Sequence, residues 1–128
     1  MKHLEDAFQV QVVQFFERAV SPLDAYIFAV PNGGKRGKIE GARFKTQGVR
    51  AGVADLVIML EWGKTAFLEL KSPSGTVSPA QRVFRATCER LGHPYGVCKT
   101  LEEVESFLRD TLSLRLKATC FGRGSIDV

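Results

Sequence analysis

Asp55-Leu-Val-Ile-Met-Leu60, Glu61-Trp62-Gly63-Lys64 and Thr65-Ala-Phe-Leu-Glu-Leu-Lys71 follow one another without a break. Two apolar runs joined by so short a polar segment predict an antiparallel hairpin. Alternation puts Glu69 and Lys71 on one face, roughly 6–7 Å apart along the backbone, and turns Leu68 and Leu70 into the core. A three-residue loop over Glu61, Trp62 and Gly63, with Gly63 left-handed, pairs Leu60 with Lys64 and sets Asp55 across from Glu69. A two-residue loop would bring Asp55 opposite Leu70 and turn its side chain to the other face. Gly63 stands where the first register needs it, so that register is preferred.

Upstream, Leu4, Phe8, Val12, Phe15, Phe16 and Ala19 recur at spacings of three and four, which predicts a helix over Leu4 to Val20 ended by Ser21-Pro22. Ala25 to Val30 is a short apolar run and predicts a buried strand. Downstream, Pro73, Ser74 and Gly75 break the chain. Ser78-Pro79-Ala80-Gln81 opens a second helix with Ser at the N-cap, Pro at N1 and Gln at the capping-box position. Ala80, Phe84, Thr87, Cys88 and Leu91 form its predicted inner face, and Gly92 suits its C-terminal cap. Tyr95 to Lys99 reads as a strand. Thr100 caps a last helix with Glu102 and Glu103 in its first turn and Val104, Phe107, Leu108 and Leu112 inward. The order α-β-β-β-α-β-α predicts an α/β fold, a mixed sheet flanked by helices. Residues 1–112 form one domain in this reading. Residues 113–128 are a tail in which Leu114, Leu116 and Ala118 alternate as an added strand would.

The 128 residues and 14.1 kDa suit one domain, and 45% hydrophobic with 25% charged residues excludes wholesale disorder. No apolar run approaches the ~20 residues of a membrane span. The start, MKHLEDAFQVQ, lacks the apolar centre of a signal peptide, so a soluble, cytoplasmic protein is expected. Cys88, Cys98 and Cys120 cannot all pair within one chain and read as buried small hydrophobes. His3 and His93 do not add the clustered spacing of a zinc site.

Lys and Arg number 18 against 14 Asp and Glu. Between Gly33 and Arg50 stand Lys35, Arg36, Lys38, Arg43, Lys45 and Arg50 against Glu40 alone, an excess larger than the net charge of +4. Arg82, Arg85, Arg90 and Lys99 against Glu89 make a second, smaller cluster. The first window also holds Gly33, Gly34, Gly37, Gly41 and Gly48, and it reads as an exposed loop. Such a loop is either simply solvated or approaches a polyanion closely, since phosphate contacts by Lys and Arg supply much of nucleic-acid affinity.

An acid-x-Lys triplet is expected roughly once by chance in such a chain, so Glu69-Leu70-Lys71 is informative only through its geometry. Two carboxyls facing each other repel unless a cation lies between them. A divalent ion such as Mg²⁺, bound by one or two carboxylates, waters and a phosphate, would relieve this. Lys71 on the same face could then meet the scissile phosphate or its attacking water, in a metal-assisted hydrolysis. The plainer alternative is a surface acid pair balanced by Lys71 as a salt bridge.

Asp55 and Glu69-x-Lys71 resemble the PD-(D/E)xK nuclease core. The wider set is similar to the VRR-NUC family: Glu5, Pro31-Asn32-Gly33-Gly34, Gly52-Val53-Ala54-Asp55-Leu56, Phe67-Leu68-Glu69-Leu70-Lys71 and Ser78-Pro79-Ala80-Gln81. The likeness runs from about Glu5 to Leu108. It implies a restriction-endonuclease-like fold and a metal-dependent DNA endonuclease. Asp55 and Glu69, with the Leu70 carbonyl, would hold Mg²⁺ or Mn²⁺, and Lys71 would assist hydrolysis. Stand-alone members are small, often phage-encoded homodimers that cleave Holliday junctions and other branched DNA, which implies a bacterial or phage-infected cell. Ala54 stands where the superfamily pattern has proline, a residue that shapes backbone and supplies no ligand.

Glu5 would correspond to the family's first-helix glutamate, with Gln9 one turn on. Its other reading is a solvated acid favoured by the helix dipole. Glu17, near the helix end, is the lesser candidate. Gln81 caps its helix, joins the site, or does both. Asn32, Lys35 and Arg36, followed by Lys38, Arg43, Lys45 and Arg50, are the expected DNA contacts. A non-catalytic nucleic-acid-binding module of nuclease shape, and an RNA-directed nuclease, are the competing functions.

Overall fold

The computed structural model describes residues 2–31 and 38–121, with side chains from 5 to 31 and from 41 to 121. Helix α1 (Lys2–Ala19) leads into strand β1 (Ala25–Ala29), helix α2 (Lys38–Thr46), the hairpin β2 (Leu56–Leu60) and β3 (Thr65–Leu70), helix α3 (Pro79–Leu91), strand β4 (Tyr95–Cys98) and helix α4 (Leu101–Ser106). A π-helical turn, Phe107–Thr111, continues α4. The sheet order is β1-β2-β3-β4, antiparallel except for the parallel pair β3–β4. This is the α/β architecture that the sequence predicts, with one helix more.

That helix is α2, in the window read as an exposed loop. It carries no apolar stripe, and Gly41 sits inside it, so neither periodicity nor propensity marks it. The hairpin register pairs Leu56 with Leu68 and Met59 with Thr65, and Leu60 N donates to Lys64 O at 2.9 Å. This is the register with Leu60 opposite Lys64. Gly63 is left-handed (φ 72°) as expected, but Trp62 (φ 67°, ψ 28°) is too. Two successive left-handed residues match the sense of strand twist, as in primed hairpin turns.

The two sheet faces do different things. On one, Ile58, Leu56, Leu68, Leu70 and Cys98 pack against Val12, Phe15, Phe16 and Ala19 of α1 and Val104, Phe107 and Leu108 near α4. Each large side chain buried here contributes about 1.5–3 kcal/mol. Gly96 lies under the Phe107 ring so closely that a Cβ would come within 2.8 Å of it. On the other face, α3 covers β3 and β4, with Phe84 edge-on to Phe67 at 5.2 Å and against Tyr95 at 6.0 Å. Cys88 of α3 is buried, but Leu91, also expected on the inner face, is exposed.

Residues 113–121 form no strand. The alternation at Leu114, Leu116 and Ala118 instead lets an irregular segment seal the core: Leu116 and Ala118 are buried, and Lys117 N donates to Ala19 O at 2.7 Å. Buried Glu105 anchors the segment by accepting from Cys120 N at 2.7 Å, and it also pairs with Arg109. The three cysteines are free. Among the described residues, no helix is long and apolar enough to cross a membrane.

Candidate active site at the open end of the hairpin

Asp55 immediately precedes β2, and its carbonyl accepts from Val30 N at 2.8 Å, which ties the end of β1 to it. Its carboxyl turns across to β3 and takes Leu70 N–H on Oδ2 at 2.8 Å. The N–H and C=O of one strand residue project to the same flank, so the Leu70 carbonyl faces Asp55 as well. Lys71 N bonds the other way, to Cys98 O at 3.0 Å.

Glu69 is 2% exposed and held from above by α3. Gln81 Nε2 donates to Glu69 Oε2 at 2.7 Å, while Gln81 Oε1 accepts Ser78 N–H at 2.8 Å. Ser78 Oγ in turn accepts Gln81 N–H at 3.2 Å, completing the capping box. Gln81 therefore both caps α3 and fixes the buried acid. Lys71 Nζ lies 3.7 Å from the same Glu69 oxygen. Glu5 reaches the end of β3 from α1, where its Oε2 accepts Ser72 N–H at 3.4 Å.

Burial raises the pKa of both carboxyls. Glu69 is pushed up to about 8, by burial first and the Asp55 charge second, with Lys71 opposing. Asp55 is raised by burial, against the Leu70 hydrogen bond, with Glu5 adding to the rise. The negative charge of Asp55 beside buried Glu69 opposes ionisation of both at once. Glu69 Oε1 is buried without a hydrogen-bond partner, and so is the hydroxyl of Tyr95, the neighbour of Phe67 across β3–β4. An orphaned carboxylate oxygen beside a second carboxyl is an unmet demand for a cation.

Among the described residues, no three His, Cys, Asp or Glu side chains gather into a cluster able to hold a metal ion. Mg²⁺ does not need one: it takes one or two carboxylates and completes its shell with waters and phosphate. Asp55, Glu69 and the Leu70 carbonyl meet that requirement, so the residues present fit a hard divalent ion.

The predicted residues divide clearly. Asp55, Glu69, Lys71 and Gln81 converge, and Glu5 touches the same strand end. Among the described residues, no hydrogen bond or ion pair joins Gln9 or Glu17 to the group. Arg43, Lys45 and Arg50 are exposed on α2 and the segment after it, and Arg50 Nη1 donates to Lys45 O at 3.4 Å. Asn32, Lys35 and Arg36 lie outside the described residues, as does the side chain of Lys38. Lys45 and Arg50, with Pro31, Phe44 and Gly52, line a pocket of about 390 Å³.

Gly52 enters the sequence reading only within the Gly52-Val53-Ala54-Asp55-Leu56 likeness, yet it positions the site. At φ +84° it lies so near α3 that a Cβ would stand 2.4 Å from Ala80 C and O. It docks the segment leading to Asp55 onto the helix end that carries Gln81. Its place in that string, three residues before Asp55, is the sequence signal for this.

Comparison with known proteins shows the same fold. Among the solved structures that share the fold are a "VRR_NUC domain protein" at TM-score 0.67 and 23% identity, covering 85% of this chain and 88% of its own, and a "VRR_NUC domain" at TM-score 0.58 and 19% identity, covering 83% and 95%. Among curated proteins, none matches the chain. The VRR-NUC domain family model matches residues 12–101, a span that holds Asp55, Glu69, Lys71 and Gln81 together. On that match the chain belongs to the VRR-NUC family of nuclease domains.

Proposed function

We propose that this chain is a cytoplasmic, divalent-metal-dependent DNA endonuclease that hydrolyses phosphodiester bonds in branched DNA such as Holliday junctions, acting as a homodimer. The observation that carries the reading is the Asp55–Glu69 pair, with Glu69 buried, its Oε2 held by Gln81 and its Oε1 unpartnered. Asp55, Glu69 and the Leu70 carbonyl would hold Mg²⁺ or Mn²⁺, with Glu5 near enough to assist through water. Once bound, the ion supplies Lewis-acid stabilisation of the phosphate and a water of lowered pKa.

The protein's own groups do the rest. Gln81 fixes one oxygen of Glu69 and leaves the other open. The Leu70 N–H takes one oxygen of Asp55 and orients its carboxyl. Lys71 brings a positive charge to the strand end, where its amine can donate to a phosphate oxygen or to the attacking water. Asn32, Lys35, Arg36, Lys38, Arg43, Lys45 and Arg50 would contact the DNA backbone. Two copies suit a two-fold junction because its resolution needs two symmetric cuts.

The test is incubation of the purified protein with four-way-junction, flap and duplex DNA in Mg²⁺ or Mn²⁺. Metal-dependent cleavage that favours the junction and disappears in Asp55→Ala is expected. No cleavage of any substrate, or equal cleavage by Asp55→Ala, contradicts the reading.

A further inference from the structure

The sheet face that carries Glu69 is only half covered. Strand pairing sets Phe28 opposite Val57 and Tyr26 opposite Met59, and Val57 pairs onward with Phe67, two residues from Glu69. Partners across a ladder share a face, so Tyr26, Phe28 and Met59 stand on the same side as the acid pair. Helix α3 packs over Phe67 and Tyr95 and stops there. Tyr26 is 63% and Phe28 40% exposed, and their rings are 6.2 Å apart at a 39° tilt, not stacked on each other.

The geometry points to a nucleobase-stacking shelf: Tyr26 and Phe28 take unpaired bases of the DNA strand whose phosphate lies at Asp55 and Glu69. This rests on the nuclease reading above. Phe28 lies opposite Val57, so the shelf begins one two-residue step along and one strand across from Asp55, and it runs away from it along β1. Aromatic faces beside a backbone-tracking groove are how single strands are held without sequence preference. The cations for that backbone are close in the chain. Arg43, Lys45 and Arg50 lie on the connection from β1 to β2, which returns at Asp55. Three exposed side chains fall far short of the ~20–30 residues a stable protein interface takes from each partner. A protein seated over Phe28 would also crowd the approach to Asp55. Bases, unlike a second copy of the chain, use the shelf and the acid pair together.

The experiment measures binding, with Ca²⁺ present, of a flapped duplex carrying 2-aminopurine at the first unpaired position and of a continuous duplex of the same sequence. Wild type, Tyr26→Ala, Phe28→Ala, Tyr26→Phe and Phe28→Tyr are compared, with unfolding midpoints confirming the fold. Wild type should quench the 2-aminopurine. The alanine variants should lose that quenching and bind the flap on the order of tenfold more weakly, with duplex affinity kept. The aromatic exchanges should behave as wild type. Equal losses on both substrates, or none on either, overturn the shelf while leaving the nuclease reading in place. Conversion of a dimer to a monomer by Phe28→Ala in sedimentation assigns the face to a second copy and also overturns it. Failure of wild type to bind either DNA removes the nuclease reading itself.

Discussion

Gln81 reaches Glu69 at 2.7 Å with its amide nitrogen while its amide oxygen takes the Ser78 N–H at 2.8 Å. One side chain thus couples the start of α3 to the buried acid. Gln81→Ala should lower stability by about 1–2 kcal/mol, through the lost cap and the unpaired Glu69 oxygen. Gln81→Glu keeps an acceptor for Ser78 but places a third acid against the pair. Urea unfolding should therefore show less loss for Gln81→Glu than for Gln81→Ala in acid, with the order reversing toward alkaline pH.

Stability without divalent metal should fall as pH rises from about 5 to 8. A Glu carboxyl loses its proton near 4.5 in the unfolded chain, whereas folded Glu69 keeps it to about 8. Between those values the folded state binds the extra proton, so raising the pH favours unfolding. The contribution is fully present below 4.5 and lost above about 8; Asp55 acts in the same direction. Unfolding midpoints across this range should decline for wild type and flatten in Glu69→Gln. Added Mn²⁺ should restore most at the alkaline end.

Gly52→Ala should cost about 2–4 kcal/mol, combining a left-handed backbone with overlap of the Ala80 carbonyl. Gly41→Ala, with nothing within 4 Å of its new Cβ, should leave stability equal or raise it. Thermal unfolding of the two variants side by side makes the comparison.

Lys71→Ala should reduce the cleavage rate by about 10²–10⁴-fold while the protein stays folded and binds Mn²⁺. Lys71→Arg keeps the charge but not its point-like geometry, and should recover only part of the rate. Single-turnover cleavage at saturating protein separates this loss from weaker DNA binding.

The hairpin was legible because its two apolar runs leave only three residues for the turn, and Gly63 selects one register. Ser78, Pro79, Gln81 and Gly92 marked both ends of α3 for a local reason, cap chemistry. What escaped was set by tertiary contact. Helix α2 has no apolar face to announce it. Trp62 takes a left-handed conformation that nothing in a bulky aromatic residue signals. Leu116 and Ala118 are buried by docking on α1 rather than by pairing in a sheet. In the site, alternation brought Glu69 and Lys71 to one side, and the register brought Asp55 opposite. The close approach of Gly52 to Ala80 joins segments 28 residues apart, beyond any local pattern.

The central claim is that Asp55 and Glu69 jointly take one divalent ion, which displaces the proton that buried Glu69 keeps to about 8. Calorimetric titration of the protein with Mn²⁺ near pH 7, repeated in buffers of different ionisation enthalpy, tests it most directly. The account predicts binding that releases protons, weakens in acid and disappears in both Asp55→Ala and Glu69→Ala. Binding without proton release, or binding unchanged in either variant, would contradict it.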